Sequence, residues 1–361
     1  MADIPETGRD EAAPGAVPDA AHGAALDAAR ALQARRFAGI DLSHPAAAAL
    51  FTAGIGRLAA LLAAEPRLFE KDAPAGTTSH KIGAPPKFIH EIVPPPPPDV
   101  FFKLQRVLAD ENTTNEDIAG IVSADPGLTG FLLRMVNSVY YGFPDKIDTV
   151  SRAVSLLGRR EIFSHAAARA VSEVYRDMPP RRYLNMRRFW RHSLACGLFC
   201  RAASLAAGVG DPERYFVAGL LHDIGKPQLL LALPAASETA VEAARMENVH
   251  QSLAEQRLFG YDHGEVAGMV FAKWNFPEEL TDAVSHHHHP ERAQGSHKTA
   301  MVHAADFAVV ALGISVDPRA HMPPFSPEAW ETAGLGPEPL LELLNAVETH
   351  LDDFVAMFSA G

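Results

Sequence analysis

An all-α fold is what this sequence predicts, and three observations predict it. After Pro98 apolar residues recur at helical spacing along most of the chain. No run alternates apolar and polar residues between hairpin turns. Asp-Pro pairs stand where helices would open. No fixed period repeats, so a solenoid is not expected. The 361 residues allow two or three units with cores of their own. Lys and Arg total 32 against 44 Asp and Glu, a net charge of −12, which argues against non-specific coating of nucleic acid or anionic membrane. Cys196 and Cys200 are the only cysteines, too few for a disulfide framework or a four-cysteine zinc site. The start, MADIPETGRDEAAPG, shows neither part of a signal peptide, and a soluble, cytoplasmic protein is expected.

Taken in order, residues 1 to about 24 lack the large apolar side chains that offset ordering entropy, so disorder is predicted there. Residues 26–64 read as helical and alanine-dominated. Within them 46–64 come nearest to a membrane span, but Gly54, Gly56 and Arg57 favour an ordinary helix. Residues 73–87 are a polar connector. The five prolines at 94–98 favour polyproline II, either a ligand for a partner's groove or, the favoured reading, a stiff lead-in to a domain. Beyond them Val100, Leu104 and Val107 share a helix face, as do Leu133, Val136 and Tyr140. Asp125-Pro126 and Asp211-Pro212 each suit an N-cap with Pro at the first helical position, and Asp262 with Glu265 suits a capping box. The helix opened by Asp211 should stop near Asp223, because Gly225 and Pro227 follow. The one opening near Pro277, with Glu278 and Glu279 in its first turn, should stop before Pro290 and so carry a histidine run at its end. In the last helix Leu340, Leu344, Val347, Leu351, Phe354 and Phe358 fall on one face.

Histidine is the anomaly. Of 17, seven crowd between His263 and His303, namely those two with His286, His287, His288, His289 and His297. His192 and the pair His222-Asp223, in LLHDIGK, stand upstream, and Asp306 stands downstream. Mixed imidazole and carboxylate donors suit Fe, Mn, Zn or Ni better than Ca or Mg. Singly, each has a bland reading: His44, His80 and His350 as surface side chains, His303 and Asp306 as a hydrogen-bonded pair. Their joint appearance points to metal. Neighbouring side chains diverge by ~100° on a regular helix, but at a fraying end His222 and Asp223 could face one centre, with the carboxylate bridging two ions.

At these residues the sequence resembles the HD superfamily of metal-dependent phosphohydrolases, and more narrowly the HDOD domain, a relative of the HD-GYP cyclic-dinucleotide phosphodiesterases. The resemblance runs from about Val93 to Phe358. It is carried by the Pro-rich entry, DPGL at 125–128, NSVYYG at 137–142, AVSLLG at 153–158, WRHSLA at 190–195, LLHDIGK at 220–226, DHGEVAG at 262–268, WNFP at 274–277 and the histidine pair before Pro290. It implies a two-lobed helical module: an extension over 1–87, a helical interaction lobe over 88–180, and an HD-like bundle over 181–358. His192, His222, Asp223 and Asp306 match the superfamily's ligands. His263, His287 and His288 match the further histidines that HD-GYP relatives use for a second ion, with His286 and His289 one step of register away. Asp223 would then bridge, and Lys226 matches the lysine that meets substrate phosphate. The cofactor implied is a divalent transition metal, up to two ions, Fe or Mn favoured over Zn or Ni.

HDOD domains are commonly regulatory, and the Gly-Tyr-Pro motif is missing, since the sequence after the pair reads HHHHPERAQGSHK. The expectation is therefore a bacterial signal-transduction protein acting through signalling partners or a phosphate-containing small ligand. The alternative is an active phosphohydrolase or phosphodiesterase, with Asp223 and Lys226 as its catalytic residues, and a di-iron oxygenase ranks third. Arg181, Arg182, Arg187, Arg188 and Arg191, interleaved with Tyr183, Phe189 and Trp190, form the one basic patch, read as a solvated helix face in preference to an anion site. Cys196 and Cys200, four and eight residues after His192 on a common helix face, read as small buried side chains in preference to ligands or nucleophiles. No Walker loop, nucleophile elbow or dinucleotide fingerprint occurs.

Overall fold

The computed structural model describes residues 19–359 except 70–88, 111, 139, 177, 180 and 181. Among the described residues the fold is all-α, with no strand. The segment expected to be disordered gives way to helix at Asp19, earlier than expected, and residues 1–18 lie outside the described residues, as do the connector and Arg181.

Helices α1 (Asp19–Arg36) and α2 (Pro45–Ala64) form a hairpin. It packs on the bundle rather than standing apart. Gln33 Nε2 donates to the Ala311 carbonyl at 3.1 Å, and the buried Arg36 guanidinium donates to Gln33 Oε1 and to the carbonyls of Val310, Ala311 and Ala320. Helix α2 is the one described helix long and apolar enough to cross a membrane. Its Leu50 and Leu58 are fully buried in the protein.

The proline run is partly buried at Pro94 and Pro97. Prolines have no N–H to give, but the backbone here still accepts: Trp274 Nε1 donates to Pro95, and Lys273 Nζ to Ile92 and His90. There follow α3 (Asp99–Ala109), α4 (Asn115–Ser123), α5 (Pro126–Val136), α6 (Val150–Leu157) and α7 (Arg159–Val174). Asp125 caps α5 through the Leu128 N–H, as its Pro-marked start predicts, and Thr114 with Asp117 makes a capping box on α4.

The second half is built on α8 (Met186–Ala207) and α9 (Pro212–Leu221), whose backbones approach closely. A Cβ on Gly219 would lie 2.6 Å from the Cys196 carbonyl oxygen, so the approach requires glycine. Then come α10 (Gly225–Ala232), α11 (Pro234–Glu247), α12 (Gln251–Phe259), α13 (His263–Lys273), α14 (Glu278–Ser285), α15 (His297–Ala311) and α16 (Pro327–Ala333). The final helix, α17 (Pro337–Ser359), buries all six of the apolar side chains expected on one face. It lies along α8 and also reaches α5, with Phe358 edge-on to Phe131 at 5.1 Å. One hydrophobic core therefore runs through both halves.

Candidate metal centre

The sharpest feature of the bundle is a set of imidazoles and carboxylates sealed from solvent. His192, His222, Asp223, His263, His287, His288 and Asp306 are all at most 3% exposed. Burying so many ionisable groups together is costly unless something compensates their charge or takes their lone pairs.

The seven side chains arrive from five elements. Helix α8 brings His192, whose Nε2 lies 3.3 Å from His222 Nε2 and 3.3 Å from Asp306 Oδ1. His222 is the C-cap of α9, so it and Asp223 leave the regular helix there, as Gly225 and Pro227 predict. Asp223 then stands between two groups, its Oδ2 3.5 Å from His192 Nε2 and its Oδ1 3.2 Å from His263 Nε2. His263 is the first residue of α13, behind the Asp262–Glu265 capping box. The turn after α14 supplies His287 and His288, and α15 supplies Asp306. Donor atoms fall into two clusters: His192, Cys196, His222 and Asp306 in one, Asp223, His263, His287 and His288 in the other.

The outward-facing nitrogens fix the tautomers. Nδ1 of His192 donates to the Ile314 carbonyl at 2.9 Å, that of His222 to Gly219 at 2.7 Å, and that of His287 to Val284 at 2.7 Å. A carbonyl can only accept, so Nδ1 carries the proton and the Nε2 lone pair turns inward. Nδ1 of His263 meets the buried Glu255 carboxylate at 2.5 Å instead. Outer partners of this kind orient the histidine ligands of metal sites and raise their basicity. Three inward atoms, Asp223 Oδ1, His287 Nε2 and His288 Nδ1, are buried with no hydrogen-bond partner. Buried acceptors without donors are rare, and a cation satisfies them.

The two carboxylates stay ionised and His287 stays neutral, while His192 and His263, against the effect of burial, are raised by the carboxylates around them. Burial pushes the Asp223 carboxyl up, but Lys226, whose Nζ lies 2.5 Å from Oδ2, and His222 outweigh it and hold it well below the usual range. Burial also raises Asp306, and His192 and His222 bring it well below the usual range. His287 is pushed down to about 3 by burial and by His222, and so is neutral at pH 7. Burial lowers His263 too, but Glu255 outweighs it and carries it up to about 9.

The expected residues are thus brought together, and of the histidine run it is His287 and His288 whose ring nitrogens join the second cluster. His289 turns to Asp262 at 3.3 Å, and His286 is half-buried. His303 is spent elsewhere, donating from Nδ1 to the His287 carbonyl and accepting from the Ser326 N–H at Nε2. Two residues that sequence reasoning passed over, and one that it read as packing, lie here. Glu255 orients His263. His250 caps α12, with Nδ1 accepting from Ser252, and its ring lies 4.9 Å from that of His288. Cys196, read only as packing, has Sγ 3.7 Å from His192 Nε2. A polar side chain on the inner face of α12 (Ser252, Glu255, Phe259) is the signal that could have found Glu255.

A cavity of about 360 Å³ opens onto this centre, with His192, Lys226 and His250 among its lining residues. Three arginines of the expected basic patch are paired, Arg188 with Glu65, Arg191 with Asp352 and Arg182 with Glu242.

The HDOD domain family matches residues 94–290, more than half of the chain. The chain belongs to the HDOD family. An HDOD domain protein of unknown function from Geobacter sulfurreducens has the same fold, at 23% identity and a TM-score of 0.61, over 74% of this chain and 93% of that one. A protein described as a signal transduction protein from Marinobacter aquaeolei gives 18% and 0.61 over 75% and 60%, and one described as a phosphohydrolase from Shewanella amazonensis gives 21% and 0.57 over 75% and 95%. An uncharacterized Treponema pallidum protein is 24% identical over 204 residues, which span 56% of this chain and only 39% of that protein. The matched segment of this HDOD protein ends at Pro290, so it contains every candidate donor but Asp306, while α1, α2 and 291–361 lie outside it.

Proposed function

We propose that this HDOD protein is a signal-transduction module that holds two divalent transition-metal ions and, through them, binds a phosphate-bearing small molecule. One observation carries this reading: Asp223 stands between two clusters of buried donors whose tautomers turn lone pairs inward, at the end of a cavity that also exposes Lys226. His192, His222 and Asp306 would hold one ion, His263, His287 and His288 the other, with Asp223 shared. Iron or manganese suits this set of five imidazoles and two carboxylates. Bound there, the ions would supply positive charge to a phosphoryl group and a water of lowered pKa. The protein's part is positional. Lys226 holds a cation beside Asp223 at the cavity floor, and His250, neutral and accepting at Nδ1 from Ser252, keeps its Nε2–H as a donor toward an anion.

A second reading, hydrolysis of the bound phosphoester, is favoured by Lys226 and by the open approach to the centre. The missing Gly-Tyr-Pro motif argues against a cyclic di-GMP substrate. Elemental analysis of untagged protein purified without oxygen tests the main reading, beside a His222→Ala, Asp223→Ala variant. About two transition-metal ions per chain, lost in the variant, are expected. A metal-free protein after anaerobic reconstitution overturns it. A phosphoester screen on the loaded protein, blank for both proteins, leaves binding without turnover; turnover abolished by the double variant establishes the hydrolase.

A further inference from the structure

The turn that carries His287 and His288 closes the segment that marks the family, and it is held in place from beyond that segment. The His287 ring is fixed by its own helix, Nδ1 donating to the Val284 carbonyl. Its backbone carbonyl is fixed by His303 of α15, whose Nδ1 donates to it at 2.7 Å. His303 is 1% exposed, and its Nε2 accepts from the Ser326 N–H at 3.1 Å. One partner only accepts and the other only donates, so the ring is neutral with its proton on Nδ1. With both nitrogens engaged, the imidazole is a strut between two backbones.

Its far end is the start of another element. Ser326 is the N-cap of α16, its Oγ accepting from the Ala329 N–H at 3.1 Å, so one residue both opens that helix and holds the strut. Phe325, just before it, lies 4.9 Å ring to ring from Phe307 on α15 and 4.9 Å from His44, the residue that precedes α2. Trp330, buried on α16, stands 6.2 Å from the same His44 ring. Contacts therefore run without a break from a donor of the second cluster through His303 and Ser326 to the head of α2. The outer hydrogen bonds of the first cluster go to Ile314 and Gly219 instead and do not reach α16.

Resting on the two-ion reading above, we propose that His303 is a positioning residue through which the second metal site and the α16–α2 surface regulate one another. An ion on His263, His287 and His288 pins the turn, the turn holds His303, and His303 holds the start of α16. Such linkage is reciprocal: whatever displaces α16 weakens the second site by the factor with which the ion resists the displacement.

Hydrogen exchange of the Ser326 amide, resolved by fragmentation mass spectrometry on the full chain, tests this with Mn²⁺ as the probe. Adding Mn²⁺ to metal-stripped protein should slow that exchange by about tenfold, a typical coupling between linked sites. His303→Asn keeps a donor where Nδ1 stands and removes the acceptor for Ser326. It should still bind both ions, one of them about tenfold more weakly, with exchange at Ser326 fast and indifferent to Mn²⁺. His303→Leu loses both bonds and should weaken that site further, by up to about 100-fold, with the other ion kept. A histidine needed only for packing would affect both ions alike and would leave Ser326 exchange insensitive to Mn²⁺ in the wild type. Two ions bound with Ser326 exchange unchanged, or a second site untouched by His303→Leu, overturns the linkage and leaves the metal centre standing. A wild-type chain that binds fewer than two ions overturns both.

Discussion

At the scale of single residues, the centre depends on groups that never touch a ligand. Glu255 is fully buried, and its Oε2 accepts from both the ring Nδ1 and the backbone N–H of His263. Glu255→Gln keeps the shape and removes the charge, so His263 becomes a weaker donor. Metal affinity should fall about 10–100-fold, read by competition with a chromophoric chelator, with helical content unchanged. Undiminished affinity would show that His263 holds no ion. This residue also marks the limit of what was legible in the sequence. His192, His222, Asp223, His263, His287, His288 and Asp306 stand out because ligand chemistry restricts them to a few residue types inside short motifs. Glu255 and His250 act across space, from a helix whose local pattern looks like ordinary amphipathic packing. Cys196 illustrates the converse, since its i+4 spacing from His192 predicts proximity but not that its sulfur lies among the donors.

At the scale of elements, the donors meet only because helices approach closely at glycine. A Cβ on Gly225 would fall 1.8 Å from the His263 carbonyl oxygen, a backbone atom that cannot swing aside. Gly225→Ala must therefore push α10 from α13 and carry Asp223 away from His263. Overpacking of this kind costs about 1–3 kcal/mol or more, and thermal unfolding should show it together with loss of metal in the second cluster. An alanine variant of full stability and metal content would contradict this account. Most helix limits here were readable, because caps and stops are local: Asp125, Asp211 and Asp262 each cap the helix that their sequence context marks. Which helices pair was not. The alanine-rich pattern of α1 gives no hint that Gln33 and Arg36 bind the carbonyls of α15, since only the fold decides what those side chains meet. Arg36 is wholly buried, with burial lowering it to about 10 against the pull of Asp317. Arg36→Met fills similar space but leaves the carbonyls of Val310 and Ala320 without their donor. A loss of about 2–4 kcal/mol is expected from denaturant titration.

At the scale of the whole molecule, the two halves share one core, and α17 spans them, yet the groups of the centre gain nothing from that core. They are buried charges and lone pairs gathered from α8, α9, α13, α15 and the turn after α14, five elements far apart in sequence. Without a cation their proximity opposes folding. Held as proposed, each ion would tie together at least three elements and convert repulsion into coordination. Stability should therefore be linked to free metal. Saturation at 100 times Kd contributes about 2.7 kcal/mol per site when the unfolded chain binds none. Stripping the metal with a chelator should lower Tm by several degrees, and re-addition should restore it in proportion to metal content. The His222→Ala, Asp223→Ala variant separates this linkage from a general salt effect. It removes one donor from each cluster, so its Tm should respond far less to chelator or metal. A wild-type Tm equally indifferent to both would mean that the buried histidines are held by hydrogen bonds alone.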